Sequence, residues 1–205
     1  MNWNGNFRDT AGRVQAVDDL KARIKESVDR KNPEPLYIVT HSKGGEIAYS
    51  ALSDPSVQQL IKERKANVTL VTTATNAGLL VDGLGKSAEA RLPGVKWTNV
   101  YYDPAGPRRD VFAAPIGVAG RNVEISKVPG IDGNVGFRQQ HSLGYQPEVM
   151  NVLVQHGDIP DPKGQRVIAI SGTNIPETLS GRLSDDASLR PAPVEEKQLT
   201  KIFNR

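Results

Sequence analysis

Hydrophobic positions near the start of the chain recur with a helical period. Val14, Val17, Leu20, Ile24 and Val28 are spaced by three or four residues with charges between them, which predicts one amphipathic helix over about residues 10–30. Thr10 can cap its start, and Asn32-Pro33 stops it. The pattern then changes. Leu36-Tyr37-Ile38-Val39-Thr40 is a short unbroken run of β-forming residues, as expected of a strand buried on both faces of a parallel sheet. Glu46 to Leu52 return to a helical pattern. Asp54-Pro55 supplies a cap and a first-position proline, which predicts a further helix through about Lys65. Val68 to Thr73 and Val95 to Tyr102 are two more strand-like runs. From Asp103 to Gln140 the chain is rich in Gly and Pro, with a short β-like piece at Asn122 to Ser126. Gln146-Pro147 opens a last helix, with Val149, Met150, Leu153 and Val154 on one side. Beyond Gly157 the apolar strand-like piece is Arg166 to Ser171. Ser180 to Arg205 is polar, Pro-broken and reads as a loosely attached tail.

Strands alternating with helices argue for the α/β class, with a mostly parallel sheet flanked by helices. The expected division is an α/β unit over residues 1–160 and a partly irregular C-terminal extension over 161–205. The 205 residues are 38% hydrophobic, enough for a real core, and contain no Cys. That excludes a disulfide scaffold, a thiolate metal site and a cysteine nucleophile. The net charge is +3 with both signs interspersed, and aromatics make up 5%. With no basic stripe and few rings to stack on bases, nucleic-acid binding is not expected. No apolar run approaches the ~20 residues that span a bilayer. Met1-Asn2-Trp3-Asn4-Gly5 lacks the charged and apolar regions of a signal peptide, and the compartment stays open.

Thr40-His41-Ser42-Lys43-Gly44 lies between a β-rich run and a helical one, the context a G-x-S-x-G nucleophile turn requires. A serine there stands on a sharp turn, and the residues two before and two after must be small because strand and helix backbones pass close. Gly44 meets that demand and Gly45 adds room; Thr40 is small but β-branched. A serine hydroxyl needs a positioned base. Of the three histidines, His41 adjoins Ser42 and points away from it, and His156 sits near a helix end, where a cation is commonplace. His141, in the loop before the last helix, falls where the chain order Ser, Asp, His puts the base. The orienting acid should lie between them after a strand. Asp103 closes the third strand and Asp110 follows in Arg108-Arg109-Asp110; spacing does not choose between them. Asp82-Gly83-Leu84-Gly85-Lys86-Ser87 ends like a phosphate-binding loop but has Leu80 where the first glycine belongs. No metal-ligand spacing occurs, and no cofactor is expected.

At these residues the chain resembles the α/β-hydrolase superfamily, in particular its bacterial lipase and esterase-like members, over about residues 1–156. Trp3-x-Gly5-Asn6, the helix after it and Val39-Thr40-His41-Ser42-Lys43-Gly44-Gly45 are similar to the segment leading into the elbow. Trp97-x-Asn99-x-Tyr101, Asp110-x-Phe112 and His141-Ser142-Leu143-Gly144-Tyr145 are similar to the acid strand, acid loop and histidine segment. The resemblance implies Ser42 as nucleophile, His141 as base, Asp110 as orienting acid with Asp103 as the alternative, and the Lys43 N–H as an oxyanion donor. It implies an esterase acting on a small-molecule or lipid ester, the latter with transient membrane contact. Relatives carry strands before the Trp-x-Gly-x-Asn segment, and a loop there gives the second oxyanion donor. The expectation is therefore a sheet shortened at its N-terminal side, its edge left to a partner or a further segment. The alternative reading is a non-catalytic or truncated α/β domain that acts by binding.

Overall fold

The computed structural model describes residues 10–75, 92–102, 115–125 and 147–171. The apolar runs form five strands: β1 (Leu36–His41), β2 (Val68–Thr73), β3 (Val95–Tyr102), β4 (Arg121–Ile125) and β5 (Arg166–Ser171). They make one all-parallel sheet in the order β4-β3-β2-β1-β5. Every residue of β1 and β2 is buried, which is why these strands read as unbroken apolar runs rather than alternating ones. Among the described residues, four helices accompany the sheet: α1 (Thr10–Val28), α2 (Gly44–Ser53), α3 (Pro55–Arg64) and α4 (Pro147–Gln155).

The strand period of two sorts the core into two faces. Leu36, Ile38, Leu70, Trp97, Ile168 and Ile170 join the buried residues of α1, α2 and α3 on one face. Tyr37, Val39, Val71, Val100, Val123 and Ile125 meet Val149 and Leu153 of α4 on the other. Asp54 caps α3 as its sequence suggests, accepting a 2.9 Å hydrogen bond from the Ser56 N–H ahead of Pro55. Lys65 closes α3 in the left-handed conformation.

Two expectations change. The α1 stripe is turned at its start. Val14 is 52% exposed, while Ala16, Leu20, Ile24 and Val28 are buried. At about 100° per residue, Val14 lies roughly 80° to one side of Ile24 and Ala16 roughly 80° to the other, so the buried face at the start of α1 is turned toward the side of Ala16 and Leu20. The strand beside β1 is the second. β5 pairs with β1 along its whole length, from Leu36↔Arg166 to His41↔Ser171, so β1 is an interior strand. The strand taking that position comes from the stretch expected as an extension. Its run Val167-Ile168-Ala169-Ile170 suits it to packing on both faces, which is what a place beside β1 demands.

A polar row crosses the sheet just below its carboxyl edge. Thr40, Thr72, Asn99 and Asn122 are level in register. Thr72 receives the Trp97 Nε1–H at 3.0 Å and donates to Asn99 Oδ1 at 2.9 Å. Asn99 Nδ2 donates to Asn122 Oδ1 at 3.0 Å, and Asn122 closes the row on the Ile116 backbone at 2.8 and 3.1 Å. Buried polar atoms bonded in this way fix one register, because a slip would strand each of them.

Candidate functional site

The chain leaves β1 at His41, turns on Ser42 and enters α2 at Gly44. Ser42 has φ of 55°, in the left-handed region that a non-glycine residue seldom takes. Such a conformation costs of order 1–3 kcal/mol and persists where the surroundings impose it. Here they do. The Ser42 N–H donates to Thr73 O at 2.9 Å, tying the turn to the end of β2. The Ser42 carbonyl accepts from the Gly45 N–H at 3.0 Å and from the Thr75 hydroxyl at 3.2 Å.

The small residues after the serine are required by contact. A Cβ on Gly44 would stand 2.4 Å from the backbone oxygen of Ile170 in β5, and one on Gly45 would stand 2.4 Å from Thr75 Oγ1. Helix α2 therefore starts wedged between the ends of β5 and β2. Thr40, where the elbow pattern has glycine, is fully buried without obstructing this packing. Its hydroxyl is turned to β2, 3.4 Å from Val71 O, and its carbonyl accepts from the Thr73 hydroxyl at 3.0 Å.

Lys43, the residue after the serine, is the N-cap of α2 with helical φ and ψ of −56° and −22°. Its side chain is buried. Nζ donates to Glu46 Oε1 at 2.8 Å, and the other Glu46 oxygen lies 3.7 Å from the Arg13 guanidinium of α1. One buried carboxylate thus holds two cations and joins α1 to the first turn of α2. Sequence reading did not find Glu46, since its partners are set by the packing of α1 on α2.

The structure brings together Ser42, Lys43, Gly44, Gly45 and Thr75 at the carboxyl edge of the sheet. His41 ends β1 and is buried, 1% exposed, as expected of a residue packing beside the turn. Asp110, His141 and the loop 82–87 lie outside the described residues. So does Asp103, which is the next residue in sequence after the end of β3. Because all five strands are parallel, the carboxyl ends of β1, β3 and β4 leave the sheet on one edge. Those are the strands that precede Ser42, the two aspartates and His141 in the sequence. Among the described residues, no helix is long and apolar enough to cross a membrane.

No family model, curated protein or solved structure matches the chain. A serine on a strained turn between a strand and a helix N-terminus, with its neighbours held by hydrogen bonds and close packing, is a geometry suited to nucleophilic chemistry.

Proposed function

We propose that this protein is a serine hydrolase of carboxylic esters, lipid esters among them. The observation that carries the reading is the φ of 55° at Ser42, between a buried parallel strand and a helix whose first two residues are glycines with no room for a side chain. In this reading Ser42 Oγ attacks the ester carbonyl carbon and His141 takes its proton. The tetrahedral intermediate collapses, the leaving alcohol departs with that proton, and Ser42 is left acylated. Water, activated by His141, then releases the acid. Asp110, or alternatively Asp103, holds the imidazole in the tautomer that accepts from serine. The Lys43 N–H stabilises the oxyanion, and the α2 N-terminus adds a favourable field.

A fluorophosphonate probe and a short-chain p-nitrophenyl ester test this directly. The expected result is labelling and turnover by the folded wild-type chain, both abolished in Ser42→Ala with the thermal unfolding curve preserved. A folded wild-type chain that is neither labelled nor active, or labelling unchanged in Ser42→Ala, overturns the proposal and favours a binding role.

A further inference from the structure

Ser42 is not the sole strained residue on this edge. Ala74, the first residue after β2, has φ of 48° and is 5% exposed, with its N–H donating to Val100 O at 3.3 Å. Two successive strands thus end in left-handed, non-glycine residues that lie side by side, since His41 and Thr73 are paired in register. The turn at Ala74 delivers Thr75 against the Ser42 turn. Thr75 is 1% exposed. Its hydroxyl lies 3.2 Å from Ser42 O and 3.2 Å from Thr73 O, the carbonyl that also accepts the Ser42 N–H. Its Cβ, Cγ2 and Oγ1 occupy the space over Gly45, where an added Cβ would meet them at 3.0, 2.5 and 2.4 Å.

We infer that Thr75 is a positioning residue for Ser42, acting as a clamp with two separable parts. The hydroxyl holds the peptide that follows Ser42, which fixes the angle at which the serine leaves the strand and the direction of the Lys43 N–H. The methyl fills the space over Gly45 and fixes the start of α2. A strained turn relaxes when its restraint is removed, and a displacement of about 1 Å at a reacting atom costs on the order of a hundredfold in rate. The hydroxyl should therefore matter to rate, and the methyl chiefly to packing. This inference rests on the esterase reading of Ser42 and names a residue that the serine, histidine and aspartate assignments do not include.

The experiment compares Thr75→Ser, Thr75→Val and Thr75→Ala with wild type. It measures kcat and KM on the p-nitrophenyl ester, the rate of fluorophosphonate labelling and thermal unfolding. Thr75→Ser keeps the hydroxyl and should keep kcat and the labelling rate within about threefold, even where its unfolding temperature falls. Thr75→Val keeps the volume without the donor and should lose roughly ten- to a hundredfold in both, with KM nearly unchanged and the pH of half-maximal rate unmoved. If the valine variant does not fold, Ser against Ala carries the same comparison, because these differ in the hydroxyl. Equal rates in Ser and Ala variants, or in Val and wild type, overturn the clamp while leaving the esterase intact. A wild-type chain without labelling or turnover overturns both.

Discussion

Tyr37 shows what a single buried side chain costs this sheet. It is 1% exposed in the core against α4, and its hydroxyl has no hydrogen-bond partner among the described residues. The ring belongs there, but a buried hydroxyl without a partner forfeits its hydration. Burial, with the nearby Asp161 carboxylate adding to it, pushes its ionisation well above the usual tyrosine range. Tyr37→Phe is expected to raise the unfolding free energy in urea by about 1 kcal/mol at neutral pH. The pH dependence follows from the sign of the shift. Below about pH 10 both folded and unfolded chains keep the phenol proton. Above it the unfolded chain releases the proton while the folded chain retains it, so stability falls as pH rises. That component is absent in Tyr37→Phe, and the gap between variant and wild type should widen between about pH 9 and pH 11. Neither effect was visible in the sequence, where Tyr37 was one β-former among five. The turn at Ser42 was legible, because the small residues it needs are its neighbours in the chain. Thr75 and Glu46 were not, because what they touch is decided by which strand ends and helices meet.

Among the elements, period and punctuation located strands and helices closely. The Asp54-Pro55 signal became the start of α3, and the β1, β2, β3 and β5 runs became strands with nearly the expected ends. The exception at Val14 has a geometric cause: a three-or-four spacing puts it about 80° to one side of Ile24, while the helix start buries Ala16 on the other side. The two glycines that open α2 carry a sharper consequence. At Gly44 the obstacle to a side chain is the Ile170 carbonyl, part of the sheet backbone. At Gly45 the nearest atoms belong to the Thr75 side chain, which can shift. Gly44→Ala must therefore push α2 off the β5 edge, and is expected to destabilise by about 1–3 kcal/mol, outweighing alanine's better helix propensity. Gly45→Ala should cost less stability and, by displacing Thr75, lower the rate of fluorophosphonate labelling. Urea denaturation and labelling of the two variants side by side separate these effects. A Gly44→Ala protein as stable as wild type would show that α2 does not abut β5 as described.

At the scale of the whole molecule, the informative strand is β5. Pattern marked Arg166–Ser171 as a strand but could not say where it would lie, because an apolar run carries no record of its neighbour. Its place beside β1 makes it a wall of the Ser42 turn and part of the main core, with Ile168 and Ile170 buried against the helices that cover that face. A strand lying outside the core and an integral strand predict different responses to one substitution. Outside the core, truncating a side chain changes stability within about 0.5 kcal/mol. Ile170 is 4% exposed, packs beside Gly44 and lies level with Thr40 of β1. Ile170→Ala removes three buried carbons at a point where the surrounding backbone is fixed by pairing, so the space cannot readily close. The expected loss is about 2–4 kcal/mol in urea denaturation of the full chain. Because the gap opens against the first turn of α2, the same variant should also lose esterase turnover before it loses its fold. A change within about 0.5 kcal/mol would remove β5 from the core, and with it one wall of the Ser42 turn.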